Sequence, residues 1–357
     1  MKLCLSRAQD FAQHLGLSTP ILMAPMAGAS PVGLAAAVAQ GGGMGALGAL
    51  LLEPPAIHEW VQRYRALTAL PLQINLWVPD PAPVRDAAHE QALRDWLGQW
   101  GPALTAEAGN ARPPDFEAQC QAMLALRPQA VSSIMGLYPP AFVEQLKAQR
   151  ILWLANVTTV AEARAAQDAG ADVIVAQGAE AGGHRGSFQA ETARDHAVGL
   201  FALLPQVVDA VKLPVVVTGG IADARGVAAA LMLGASAVQL GTALLRCPEA
   251  GIATAWADGL AGLAPEGTVL TRAFSGRWGR SLNTAYVRAA GAADALEPAP
   301  YPVQRGLTAA MRKTADAEAD LQRMQAWSGQ AAGMARALPA ARVVSELWQA
   351  AHTLMAN

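Results

Sequence analysis

The stretch Ala169-Gly170-Ala171-Asp172-Val173-Ile174-Val175-Ala176-Gln177-Gly178 carries the reading on which the fold turns. Its second part, Asp172–Gly178, is apolar, short and closed by a glycine, which suits a strand buried on both faces better than a helix. Upstream, Thr159-Val160-Ala161-Glu162 reads as a capping box opening a helix that runs toward Ala169. Gly170 then falls where a helix-ending C′ glycine is expected. The same order returns at Leu233-Gly234-Ala235-Ser236-Ala237-Val238, after a helix that Asp223 would cap and Gly234 would end. Leu34–Gly41 followed by Gly43–Leu50 is a looser third copy. Repeated helix–glycine–strand units predict parallel strands joined by right-handed crossovers.

Eight apolar runs have this character: Ile21–Gly28, Gly43–Leu50, Pro71–Val78, Ala130–Gly136, Arg150–Val157, Asp172–Gly178, Pro214–Gly220 and Ala237–Leu245. An open doubly wound sheet would accept the same alternation, so the number eight carries the preference for an α/β fold of the (β/α)8, or TIM, barrel type. Two regions fall outside the repeat. Pro79–Pro114 is polar, with proline and tryptophan, and follows the third strand. The tail from Pro248 to Asn357 extends well beyond the eighth. The expected organisation is a barrel over residues 1–247, completed by C-terminal helix within about 314–357 that includes Thr314–Ala337, and a cap over the strand ends at about 248–313.

Composition narrows the function classes. The 357 residues are 53% hydrophobic and 15% charged, a balance that permits a large core and opposes disorder. Mean hydropathy is +0.23, but alanine supplies much of it and no run of about 18 residues is apolar throughout, so no membrane-spanning helix is expected. Met1–Phe11 contains Lys2, Arg7 and Asp10 and lacks the apolar core of a secretory signal. A net charge of −2 gives no general reason to bind nucleic acid or anionic lipid. Cys4, Cys120 and Cys247 form no CxxC pair and suit small buried side chains in a reducing cytoplasm.

The candidate chemistry gathers at strand ends. Val217-Thr218-Gly219-Gly220 closes the seventh run and Gln239-Leu240-Gly241-Thr242 lies in the eighth. Barrels often bind a phosphate with these two loops, and glycine lets backbone N–H groups approach phosphate oxygens. Thr242 could add a hydroxyl; the plainer alternative is that the glycines only make tight turns. After the sixth run comes Gln177-Gly178-Ala179-Glu180-Ala181-Gly182-Gly183-His184-Arg185-Gly186. It puts His184, a base suited to neutral pH, in a glycine frame on the face where barrels carry catalysis. A lone loop histidine is otherwise a solvated or packed residue, the reading kept for His14, His58, His89, His196 and His352. Met23-Ala24-Pro25-Met26-Ala27-Gly28 and Gln73-Ile74-Asn75 end the first and third runs. Backbone at Ala24, Pro25 and Met26 could meet the edge of a planar ring, and the amides of Asn75 and Gln177 could pair with its polar groups. Core packing for the methionines and strand-end capping for Asn75 are equally open. There is no HxH, HExxH or Cys/His cluster, and no serine nucleophile elbow. A phosphate site, amides, one base and no metal motif point to an organic cofactor.

Taken together, Ala24–Gly28, Gln73–Asn75, Gln177–Gly186, Thr218–Gly220 and Gln239–Thr242 resemble the nitronate monooxygenase family, formerly called 2-nitropropane dioxygenase. Its longer class is also matched by Arg272-Ala273-Phe274-Ser275-Gly276-Arg277 and by Trp327-Ser328-Gly329-Gln330-Ala331. The run Glu180–Gly186 is the most specific piece, since Gly-Gly loops are shared by many FMN barrels. The resemblance implies an FMN-dependent, metal-free oxygenase that converts alkyl nitronates, such as propionate-3-nitronate, with O2 to a carbonyl compound and nitrite. It implies FMN contacts from Asn75, Gln177, Gly182, Gly219 and Gln239–Thr242, to which the residue-level reading adds Ala24–Met26, Gly183 and Gly220. It makes His184 the base for neutral nitroalkanes and a hydrogen-bond partner of the nitronate. Trp278–Thr284 and Tyr301–Gln304 would help line the substrate pocket. The alternatives are an FMN-dependent enoyl-acyl-carrier-protein reductase, an NADH:quinone reductase, and a flavin-binding protein without catalysis. A monomer or a homodimer fits the sequence equally well.

Overall fold

The computed structural model describes residues 2–356. Eight parallel strands form the central sheet: β1 (Ile21–Met23), β2 (Gly45–Gly48), β3 (Leu72–Trp77), β4 (Ala130–Ile134), β5 (Leu152–Val157), β6 (Val173–Gln177), β8 (Val215–Thr218) and β9 (Ala237–Leu240). Each lies inside one of the eight apolar runs. The order β1-β9-β8-β6-β5-β4-β3-β2 closes on itself through a parallel bridge between Leu22 and Met44, giving a (β/α)8 barrel. Helices 32–40, 54–67, 116–126, 140–149, 160–168, 200–210 and 224–232 alternate with the strands.

Strand pleating separates two cores. Leu22, Met44, Leu154, Val175 and Val216 turn inward and pack with Phe11 and Leu15, so the N-terminal helix Lys2–His14 plugs the bottom of the barrel. Ile21, Ile74, Val131, Trp153, Ile174 and Val217 belong to the core that also takes in the surrounding helices. Thr159 and Asp223 cap their helices, while the expected capping box forms only in half. Thr159 Oγ1 accepts from Glu162 N at 3.1 Å. The Glu162 carboxylate goes to Thr158 N and Thr158 Oγ1 rather than back to Thr159. Asp223 Oδ1 accepts from Gly226 N at 3.0 Å. Such caps contribute about 1 kcal/mol each. Gly170 and Gly234 take φ of +92° and +113°, the left-handed conformation that ends a helix.

The tail differs from expectation. No single helix spans 314–337: one helix ends at Ala317, Ala319 turns to φ +54°, and the eighth barrel helix is Ala340–Ala356. Gly329, Gly333 and Pro339 interrupt the intervening chain, and Ser328 N bonds to Arg280 O instead of continuing a helix. The two regions outside the repeat share a core of their own, in which Leu93 and Leu97 meet Phe274, Tyr286, Leu307 and Met311. A small antiparallel sheet accompanies it: β10 (Thr268–Thr271), β11 (Gly279–Leu282) and the two-residue β7 (Gly183–His184). No described helix is long and apolar enough to cross a membrane.

Candidate active site

The loop after β6 is drawn out of the barrel by β11. Gly279 pairs with His184 and Arg280 with Gly183, and Arg185 N donates to Trp278 O at 2.9 Å. Gln177 staples the base of this loop with both ends of its amide. Nε2 donates to His184 O at 3.0 Å and Oε1 accepts from Gly186 N at 2.8 Å. One Nε2 hydrogen remains for a ligand. Arg185 is buried beneath, donating to Gly178 O at 2.7 Å. Glu180, expected only as part of a motif, accepts from Leu200 N and so satisfies the first turn of helix 200–210.

The imidazole of His184 stands between two indoles. Trp77 and Trp327 each lie 4.7 Å from it, centroid to centroid. Its Nε2 is 2.7 Å from Ser275 Oγ. Burial, reinforced by the positive charges of Arg277 and Arg305, pushes its pKa down to about 3, so the ring is neutral at ordinary pH. Arg277 is itself buried and pairs with Asp80 at 2.9 Å, at an angle that leaves its guanidinium N–H groups without a directed hydrogen bond. Tyr301 stacks obliquely on Trp77 at 5.2 Å, and its buried hydroxyl has no hydrogen-bond partner among the described residues. Burial lowers the Arg277 and Arg305 pKa values and raises that of Tyr301. Unspent donors thus sit close to the neutral base.

The other expected residues meet in pairs at the C-terminal ends of the strands. Gly219 and Gly220 take φ of +112° and +70°. A Cβ on Gly219 would lie 3.0 Å from Ala181 N, and one on Gly220 3.3 Å from Glu180 Cβ. A Cβ on Gly182 would reach within 2.5 Å of Gly329 N and 2.9 Å of Thr242 Oγ1, so Gly182, Thr242 and the tail converge. Thr242 Oγ1 accepts from Gly329 N at 3.0 Å, leaving its own hydrogen to donate. Gly241 comes against Ala24 Cβ and Met26 Sδ, and Ala24 N donates to Leu240 O at 2.8 Å. Pro25 lies between them, half-buried, and Gly183 takes φ +73° with open space beside it. Gln239 Nε2 is 3.4 Å from Met23 O, and Thr218 Oγ1 donates to Gln239 O at 2.9 Å. Asn75 donates through Nδ2 to Ser132 O at 3.1 Å and Ser132 Oγ at 3.0 Å on β4, which leaves its Oδ1 without a donor among the described residues.

Several residues around this site carry no signal as single positions in the sequence. Gln73 lies on the same face of β3 as Asn75, and its buried Oε1 has no donor among the described residues. Trp77 sits in the third apolar run, where an aromatic reads as core. Ser275, Arg277, Tyr301 and Trp327 lie within segments that a family pattern flags, but nothing local assigns them a role. Arg305 and Asp80 belong to no motif.

The family model described as nitronate monooxygenase matches residues 10–350 of the chain. A nitronate monooxygenase of Paraburkholderia phytofirmans is 40% identical over 345 residues, covering 93% of this chain and 92% of that protein. Among solved structures, a nitroalkane oxidase from Streptomyces ansochromogenes is 34% identical, with a TM-score of 0.87 over 97% of this chain and 99% of the other. FabK from Thermotoga maritima is 26% identical, with a TM-score of 0.75 over 98% and 97%.

Proposed function

Because the chain belongs to the nitronate monooxygenase family, we propose that it oxidises alkyl nitronates, propionate-3-nitronate among them, with O2 to a carbonyl compound and nitrite, using bound FMN. The observation that carries this reading is a neutral histidine, flanked by two indoles and facing unspent donors, beside a glycine cradle at the barrel mouth. The cradle suits a flavin phosphate. Gly182, Gly219 and Gly220 sit where a Cβ would crowd other backbone or side chains, and the Thr242 hydroxyl hydrogen is unspent. The orphaned Gln73 Oε1 and the remaining Gln177 hydrogen suit the polar edge of a ring. Gln239, Leu240 and Gly241 would hold the phosphate end with Thr242. Ala24, Pro25 and Met26 would border the ring, while Asn75 would reach its polar edge from β3.

The flavin supplies an electron acceptor that can be reoxidised by O2. The protein's share is to bind and orient the anion. Arg277, Arg305 and the Tyr301 hydroxyl give the nitronate positive surroundings in a dry site, where such contacts are strong. His184 takes a proton from a neutral nitroalkane, or hydrogen-bonds a nitronate that arrives already ionised. Residues 248–313 wall the substrate side.

Anaerobic mixing of the purified protein with propionate-3-nitronate, and separately with NADH, tests the reading through absorbance. Bleaching of the flavin by the nitronate and not by NADH is the expected result. Rapid bleaching by NADH alone would replace it with an FMN-dependent reductase, the alternative left open by the sequence. His184→Asn is expected to lose at least a hundredfold in kcat/KM with neutral nitroalkanes and much less with preformed nitronates. Equal losses would remove the base role.

A further inference from the structure

We propose that Ser275 is a positioning residue that holds His184 as the Nε2–H tautomer and so leaves Nδ1 free to take the substrate proton; this rests on the base role just given. The two residues are 91 positions apart and meet because β11 pairs with β7. Ser275 Oγ is fully buried, 2.7 Å from His184 Nε2 and 3.3 Å from Arg277 O. A hydroxyl has one hydrogen. Spent on Arg277 O, that hydrogen would make the shorter contact an Nε2–H donation and join the three groups in one chain, Nε2–H to Oγ–H to carbonyl. Weak donation from Arg277 N, at 3.4 Å, adds to the same polarity.

The serine is itself fixed. Ser275 N and Gly276 N both donate to Arg272 O, and a Cβ on Gly276 would come 2.3 Å from Ala299 O, so the turn has one packing. The indoles of Trp77 and Trp327 restrain the ring on other sides. The charges facing the ring are Arg277 and Arg305, with Asp80 and Tyr301 coupled to Arg277. None of these bonds a ring nitrogen, so the contact with Ser275 is the ring's one side-chain hydrogen bond among the described residues. Proton transfer then balances simply. The substrate C–H bond breaks, its electron pair stays on the substrate as the nitronate, and the proton goes to Nδ1. The resulting imidazolium keeps its Nε2–H bond to Ser275.

Nitrogen-15 NMR of histidine-labelled holoenzyme, with the His184 signals assigned by their loss in His184→Asn, reads the tautomer without turnover. The expected spectrum at neutral pH shows Nε2 protonated and Nδ1 bare in the parent, and a mixture of tautomers in Ser275→Ala. The same variant is expected to lose tenfold or more in kcat/KM for a neutral nitroalkane and less than threefold for the preformed nitronate. An Nδ1–H tautomer in the parent, an unchanged tautomer in Ser275→Ala, or equal losses with both substrates would overturn the proposal. If the parent oxidised neither substrate, the functional reading would fail while the spectrum still decided the role of Ser275.

Discussion

Burial beside Arg277 and Arg305 keeps the His184 ring neutral to about pH 3, whereas in the unfolded chain it titrates near 6.5. Between those values the unfolded state binds a proton that the native state refuses. The stability this group contributes is therefore complete above about pH 6.5 and is lost as pH falls toward 3. Thermal unfolding of His184→Asn should accordingly lose less Tm than the parent between pH 7 and pH 4.5. Equal losses in the two proteins would show that the ring is not held neutral. At this scale the sequence is only partly legible. His184 stands out by its glycine frame and its place after the sixth run. Ser275 does not, because its contact with the ring arises from a pairing across 91 residues that no local pattern announces.

The seam between the loop after β6 and the tail is built from glycines with no room to spare. A Cβ on Gly329 would lie 2.7 Å from Glu180 O and 2.9 Å from Gly182 N, both backbone atoms. Gly329→Ala should therefore cost about 1–3 kcal/mol, as small-to-large changes at packed sites do. It should also reduce the flavin retained on purification, since Gly329 N holds the Thr242 hydroxyl. Urea unfolding and the visible spectrum measure both; a stable variant with full flavin content would separate the tail from the cradle. The barrel strands are legible because strands buried on both faces are apolar throughout. β7 is not, because its two residues sit in a polar glycine run and become a strand only through β11. The tail helix is misplaced in the sequence reading because alanine-rich chain on either side of Gly329 and Gly333 has similar helical character, and tertiary contacts decide which part coils.

The molecule as a whole depends on Ala340–Ala356 to complete the ring of helices. It packs on helices 224–232 and 32–40, and Val343, Val344 and Leu347 are buried there. Leu347→Ala should cost about 2–5 kcal/mol, the usual range for a large-to-small change in a core. A shift of the urea midpoint measures it, and a change below 0.5 kcal/mol would mean that the helix packs loosely. The count of eight runs makes this architecture readable from sequence. The second core is not readable, because Leu93 and Leu97 come from an insertion after β3 and their partners from the C-terminal third.

Residue 184 is encoded beside β6, yet its backbone is held by β11 and its ring by the turn at 272–276. The histidine and the C-terminal segment that packs around it therefore inherit their positions together. Exchanging the C-terminal segment for that of a relative would transplant the histidine's address along with the shape of the pocket. Substrate scope and reactivity in such chimeras would change as one trait.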